Sequence, residues 1–566
     1  MYEELKSTWD ELTAPGQLFE IETLQVRGSP MRAYKHAPGS LRDIWMGTAV
    51  YQDREYLIYQ DERLTYAETH QQTASIAHWL YEHGVKPGDR VAISMRNYPE
   101  WMLAYWAVVS MGAVVVGMNA WWVTQEMHYA LKDSAPKVLI ADGERLARFL
   151  EIRKYFPDTL AVGVRLDAEV PEHVVAWAEL IHSDPAMPDV SIDPDDDACI
   201  FYTSGTTGTP KGAQLTHRGC VSNLMNIGFS QALHRDALIK AGIKGKGTAT
   251  PDEITVALVA TPLFHVTGNN CVAQGIAATG GKLIHMYKWD AAEALRIVEA
   301  EKVTTFSAVP MMSREMMLHP DFATRDTSSL KSMGGGGAAV QPDLTRKMDN
   351  AMKNAAPNAG YGMTETCGII AVLSGVYLVD RPTSVGRALP TYEAKCVDAQ
   401  GNSVATGEKG ELWVRGSCVI KGYLNRPEAT AETITEGWLQ TGDIAYMDAD
   451  QFIHLVDRAK EMVLRGGENV YCAEVESAIF DSEAVAECVV FGVEDERLGE
   501  EVAAAIFPKA GFTVDIDQLR LALRERMASY KIPRYIWLVE APLPRNASGK
   551  FVKREVRDAL SLADAL

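Results

Sequence analysis

Residues 202–212 read Y-T-S-G-T-T-G-T-P-K-G, and the interpretation of the chain turns on them. Tyr202, Thr203, Ser204, Thr206 and Thr207 supply hydroxyls among Gly205, Gly208 and Gly212. Glycine lets the backbone turn sharply and bring its N–H groups close to an anion. Hydroxyls donate hydrogen bonds to phosphate oxygens, and Lys211, held behind Pro210, adds a point charge. The run is not a Walker A loop, because its lysine is not followed by Ser or Thr and its glycine spacing differs. The apolar residues 198–201 immediately before it read as a buried strand. A strand feeding a loop of this chemistry predicts a site that cradles a polyphosphate.

The rest of the chain fits a large α/β protein. Its 566 residues allow three or four domains, and 47% hydrophobic residues can fill large cores. A formal charge of -20 argues against a nucleic-acid partner, which calls for a basic surface. Eight cysteines occur without a C-x-x-C pair, which fits a reducing, cytoplasmic setting and no structural zinc. The N-terminal residues are too charged for a signal peptide, and the C-terminal ones are not a peroxisomal signal. Residues 101–125 carry no charge until Gln125 is passed, yet glycines and Asn119 interrupt them. They read as helix, turn and buried strand of a soluble core, with no transmembrane segment.

Strands are expected at 90–95, 137–141, 256–260, 282–285 and 304–308, with helices between them such as 291–301. That alternation predicts parallel-rich sheets covered by helices. Residues 231–252, polar and rich in Lys and Gly, read as a surface excursion. Beyond about 385, short strands at 393–397, 410–414 and 452–456 predict a small antiparallel sheet or barrel. After 458, helix 473–479, strands 486–491 and 501–507, helix 515–527 and strand 535–538 predict a separate α+β module.

Further motifs follow the phosphate loop in order. P-L-F-H-V-T-G ends in Gly268 and holds His265; G-G-G-G-A-A runs from Gly334 to Ala339. Y-G-M-T-E-T starts at Tyr361, W-L-Q-T-G-D ends at Asp443, D-R-A-K-E starts at Asp457, and P-R-N-A-S-G-K ends at Lys550. Taken singly, His265 reads as a core histidine, the glycines as a plain loop, Glu365 as a helix cap and Lys550 as a surface lysine. Taken in this order, the set resembles the adenylate-forming superfamily of acyl-CoA synthetases, adenylation domains and firefly-type luciferases, over about residues 50–560.

The resemblance implies a large N-terminal α/β domain (1–457) of two parallel-rich sheets plus a small β-barrel-like part. It also implies a hinge at 458–460 centred on Lys460, and a mobile α+β C-terminal domain (461–566). ATP, Mg2+ and CoA are implied as cofactor and co-substrates. Thr203, Ser204, Gly205, Thr206, Thr207, Gly208 and Lys211 would hold the β- and γ-phosphates. Tyr361 would stack on adenine beside Gly335, Gly336, Gly337, Ala338 and Gly362. Thr364 would touch the α-phosphate, Glu365 and Thr206 would bind Mg2+, and Asp443 and Arg458 would take the ribose. Lys550 would serve the first half-reaction, with Thr364, Glu365 and His265 also catalytic. Gly466 and Gly467 would leave a channel for CoA. His265, Met311, Gly336, Gly360 and Gly368 would line a roomy apolar acyl pocket. One departure is Gln451, where these families usually carry Gly; a slightly different turn is expected there.

The expected reaction is ATP-dependent ligation of a carboxylic acid to CoA through an acyl-adenylate. The acid is a medium- or long-chain fatty acid or a bulky apolar carboxylate. The alternatives are loading of a carrier protein, an aryl or alicyclic substrate, a luciferase-like oxygenase and a nucleotide-binding regulator. Residues 268–273 carry no acid to pair an α-amine, so an amino-acid substrate is disfavoured. A homodimer is left open.

Overall fold

The computed structural model describes residues 1–167, 169–203, 210–243, 246–247, 253–337, 340, 342–459, 461–466, 468–547 and 549–566. Two eight-stranded sheets form its framework. In the first, Asp197–Thr203, Val114–Gly117, Arg90–Ser94, Val138–Asp142, Leu160–Val164 and Val174–Ala176 run parallel in that order. Lys211–Thr216 and Gly422–Tyr423 extend this sheet antiparallel at one edge. In the second, Ala356–Met363, Ser332–Gly336, Thr305–Ala308, Val256–Val259, Lys282–His285 and Glu55–Tyr59 run parallel. Antiparallel strands Gly368–Ser374 and Glu62–Thr65 close its two edges.

Both sheets are covered by helices, which explains the near-continuous apolar strand sequences. Val114, Val115 and Val116 are all buried, as is every residue of the helix Pro99–Ser110 except Glu100. The uncharged stretch is therefore helix, turn and strand. No helix among the described residues is long and apolar enough to cross a membrane.

A six-stranded antiparallel sheet follows, built on Tyr392–Val397, Gly410–Gly416, Trp438–Met447 and Phe452–Arg458. The last part is a five-stranded sheet with helices on both faces. Along its strand Gly499–Pro508, Val502, Ala504 and Ile506 join Val475, Ile479 and Leu523. Ala503 and Ala505 instead join Trp537 and Val556 of the opposite face. This period of two is what a strand buried on both sides requires.

Two expectations change. The stretch 231–252 is not a surface excursion over its first ten residues, which complete the helix His217–Lys240. Leu233, Ala237 and Leu238 recur at helical spacing and bury one face, and this outweighs the polar composition. Farther on, the Gly247 N–H donates to the Asn354 carbonyl at 2.8 Å; residues 244–245 and 248–252 lie outside the described residues. At Gln451 the backbone keeps the left-handed conformation that glycine would favour, with φ at 66°. The side chain there costs about 1 kcal/mol rather than changing the turn.

Candidate active site

In open α/β sheets, ligands gather outside the carboxyl ends of parallel strands. The motif residues lie there. Thr203 ends Asp197–Thr203, and His265 follows Val256–Val259. Met311 follows Thr305–Ala308, Gly337 follows Ser332–Gly336, and Thr364 follows Ala356–Met363. Strand order thus brings together residues far apart in sequence.

At one end of the cleft, the Tyr361 hydroxyl donates to Asp443 Oδ2 at 2.6 Å, and Arg458 Nε pairs with Oδ1 at 2.7 Å. The Asp443 N–H in turn donates to Thr441 Oγ1 at 3.1 Å. Burial pushes the Asp443 carboxyl above the ordinary carboxylate range, while Arg458 and the Tyr361 hydroxyl pull it back. Burial also works against the Arg458 charge, but Asp443, Tyr361, Glu461 and Glu365 together outweigh it and raise its pKa. A carboxylate held by donors from two sides is fixed in orientation. Thr441 was not among the expected site residues.

At the other end, the loop 544–551 presents Lys550. Its backbone is tied by Asn546 N–H to Lys550 O at 2.9 Å, Gly549 N–H to Asn546 O at 2.9 Å, and Lys550 N–H to Asn546 Oδ1 at 3.0 Å. Gly549 has φ of 79°, and a Cβ there would meet Val309 Cγ2 at 3.0 Å and Met311 Cε at 3.2 Å. Gly337 has φ of 85°; a Cβ built on it would lie 3.7 Å from Val309 Cγ1, 3.8 Å from Thr267 Oγ1 and 3.9 Å from Lys550 Cε. The C-terminal lysine is thereby docked into the cleft of the large domain, facing the glycine run and Thr267.

Protein surrounds the Lys550 ammonium although water still reaches it. Burial first, and Arg458 second, lower its pKa, against the pull of Asp443 and Glu365. Burial, with Lys550 adding to it, brings His265 down to about 4, so its imidazole is neutral at neutral pH.

Glu365 is buried in the turn Thr364–Thr366. Its Oε1 accepts the Tyr423 hydroxyl at 2.8 Å, and its carbonyl accepts the Ile420 N–H at 3.0 Å. The Lys211 ammonium lies 5.0 Å from the centroid of the same Tyr423 ring. A hard carboxylate beside a phosphate loop suits Mg2+, which takes one or two carboxylates and fills its other positions with phosphate oxygens and water. Glu365 fits that role; Thr206 lies outside the described residues, as do Ser204, Gly205, Thr207 and Gly208.

The acyl-pocket residues divide. Gly360 would tolerate a Cβ, which would meet Ile369 Cγ2 at 3.9 Å and Gly335 O at 4.0 Å in ordinary contact. Gly368 makes no room: a Cβ would overlap the Asn223 side chain, whose Oδ1 accepts the Ile369 N–H at 2.9 Å. Gly335, Gly336 and Gly362 are required by close strand approach, to Ala308, Gly360 and Gly368 respectively. Met311 packs its Cε toward the lysine loop. Behind the pocket helix, the fully buried amides of Asn269, Asn270 and Gln274 bond to Trp101, Cys367 and Tyr105. These amides form a buried polar layer, and a π-type turn spans Asn269–Ala273. The half-buried His265, Thr267 and Cys271 mark the other face of that segment. Gly466 has φ of 60° and donates its N–H to Leu498 O at 2.7 Å. Ala338, Lys460 and Gly467 lie outside the described residues.

Residues 45–424 match the AMP-binding enzyme family, and residues 474–550 match the AMP-binding enzyme C-terminal domain. A feruloyl-CoA synthase of an Amycolatopsis species is 37% identical, over 87% of this chain and 93% of its own. A long-chain-fatty-acid–CoA ligase of Bacillus subtilis is 29% identical, over 90% of this chain and 92% of its own. The solved structure of the anthranilate CoA ligase AuaEII with anthranoyl-AMP superposes with a TM-score of 0.82 at 25% identity, covering 93% of this chain and 98% of that one. With both family regions matched and these ligases similar along nearly their whole length, the chain belongs to the adenylate-forming AMP-binding enzymes, in their AMP-forming acid–CoA ligase branch.

Proposed function

We propose that the chain joins a ring-bearing carboxylic acid, of aryl or arylalkenoic kind, to CoA in two steps at this one cleft. The observation that carries the two-step reading is the docking of Lys550 beside Gly337, Thr267 and Val309. In the first step the acid attacks the α-phosphate of ATP, giving acyl-adenylate and pyrophosphate. In the second the CoA thiol attacks the carbonyl and AMP leaves.

Asp443 and Arg458 hold the ribose, Tyr361 lies against adenine, and Thr364 reaches the α-phosphate. Lys211 and residues 203–208 hold the outer phosphates. Glu365 and Thr206 would hold Mg2+, which would neutralise phosphate charge when bound. Lys550 offsets the charge that gathers as two anions approach, which is most valuable where few waters compete. Neutral His265 shapes the entry of the acyl pocket without adding charge. The C-terminal domain, 461–566, swings about Lys460 after adenylation, withdraws Lys550 and brings Gly466 and Gly467 to a CoA channel.

Three features support a ring-bearing acid. The feruloyl-CoA and anthranilate ligases are similar to this chain. Gly360 carries no side chain, and the nearest atoms to its Cβ position lie at 3.9 and 4.0 Å, so a flat ring could lie against it. Thr267 and Cys271, four residues apart, offer polar groups along a pocket wall that a plain hydrocarbon chain would not use. Pyrophosphate release should be compared across benzoic, arylpropenoic, medium-chain and long-chain acids. Higher kcat/KM for the aryl acids supports the reading; higher values for the fatty acids overturn it. Thioester formation with free CoA, without carrier protein, separates a CoA ligase from a carrier-loading enzyme.

A further inference from the structure

Tyr423 sits where two separate parts of the phosphate site meet. Backbone pairing clamps it: Ala213 lies opposite Tyr423, Gln214 opposite Gly422, and the Leu424 N–H donates to Gly212 O at 2.8 Å. Its own N–H donates to Thr430 Oγ1 at 2.8 Å. The strand Gly422–Tyr423 therefore has little freedom beside Lys211–Thr216.

Its side chain then does two things. The ring face lies under the Lys211 ammonium, an attraction worth about 0.5–1 kcal/mol at partly exposed sites. The hydroxyl donates to Glu365 Oε1 at 2.8 Å. The Ile420 N–H holds the Glu365 carbonyl from the same segment, and the Tyr392 hydroxyl holds the Thr366 carbonyl at 3.0 Å. Glu365 is thus held at its backbone carbonyl by Ile420 and at one carboxylate oxygen by Tyr423.

We propose that Tyr423 is the positioning residue of the metal carboxylate: its hydroxyl engages Glu365 Oε1 and turns Oε2 toward the phosphates, while its ring seats Lys211. The inference rests on the reading of Glu365 as the Mg2+ ligand. Partners that orient a metal ligand typically contribute about 10–100-fold in metal affinity.

The test measures binding rather than turnover. Calorimetric binding of α,β-methylene ATP is titrated against Mg2+ in wild type, Tyr423→Phe, Tyr423→Leu and Glu365→Gln. Tyr423→Phe should raise the Mg2+ midpoint about tenfold and leave metal-free nucleotide binding unchanged, because the ring still carries Lys211. Tyr423→Leu should also weaken the metal-free binding. In a Glu365→Gln background, Tyr423→Phe should shift nothing further. An unchanged Mg2+ midpoint in Tyr423→Phe, whether or not its Tm falls, overturns the inference. So does a shift of the same size in the Glu365→Gln background. An unchanged Mg2+ midpoint in Glu365→Gln overturns the reading of Glu365 itself, which separates the two failures. Tyr423→Phe alone decides the matter if Tyr423→Leu does not fold.

Discussion

Lys550→Ala should abolish most adenylate formation and spare thioester formation. The lysine is docked beside Gly337, its Cε 3.9 Å from the Cβ position there, with Thr267 and Val309 around the same space. A carboxylate and an α-phosphate must meet near this point. A unit charge about 4 Å from the gathering negative charge contributes about 4 kcal/mol at an effective dielectric near 20. Water reaches the ammonium, so the realised value falls below that. A loss of roughly 10²–10³ in the first half-reaction corresponds to about 3–4 kcal/mol. The second half-reaction does not bring two anions together, and the docked loop is not needed for it. The assay splits the steps: pyrophosphate release from acid plus ATP, and thioester formation from purified acyl-adenylate plus CoA. Equal losses in both would refute the assignment of Lys550 to the first step.

Three other outcomes follow from the geometry. Gly549→Ala forces a side chain into φ of 79° and against Val309 and Met311; it should slow adenylation by roughly 30-fold, about 2 kcal/mol, with the thioester rate from acyl-adenylate held within twofold. Tyr361→Phe removes a donor to buried Asp443, so ATP should bind about tenfold more weakly, a charged hydrogen bond contributing about 1.5–3 kcal/mol; losing that stabilisation of the anion raises the Asp443 pKa further, and the acid limb of ATP binding, measured as Kd against pH, should move to higher pH. Burial pushes Asp457 up to about 6. Its folded pKa is therefore above the unfolded one, so its contribution to stability is largest below pH 4 and is lost as pH rises through 6. Asp457→Asn should then raise Tm at pH 7.5 by the equivalent of about 2 kcal/mol and have no effect near pH 4; a uniform gain or loss across pH would contradict the burial argument.

Local pattern carried much of the fold. The strands at Lys282–His285 and Tyr535–Leu538 and the helix Ala291–Glu301 fall where apolar runs and turn residues place them. Residues 231–240 were misleading, because a long amphipathic helix can carry many polar residues on its outer face. Sheet order was not legible: that Ser332–Gly336 lies between Thr305–Ala308 and Ala356–Met363 is a long-range fact. The candidate site could be proposed from sequence where chemistry is concentrated in motifs, as at Asp443, Glu365 and Lys550. It was not legible where a residue acts on another one: Tyr423 has no signal of its own, and only folding shows that its hydroxyl meets the Glu365 carboxylate. Gly368 looked like spare volume in sequence, yet Asn223, 145 positions earlier in the chain, fills it.

The central claim, that one cleft makes an acyl-adenylate and passes the acyl group to CoA, is tested most directly by product stoichiometry. The protein is given an aryl acid, ATP, Mg2+ and CoA, and AMP, pyrophosphate and acyl-CoA are quantified, with CoA then omitted. AMP, pyrophosphate and acyl-CoA in equal amounts, and without CoA a single burst of pyrophosphate with acyl-adenylate retained on the protein, are the predicted results. ADP in place of AMP, or no thioester under any acid that supports pyrophosphate release, would contradict it.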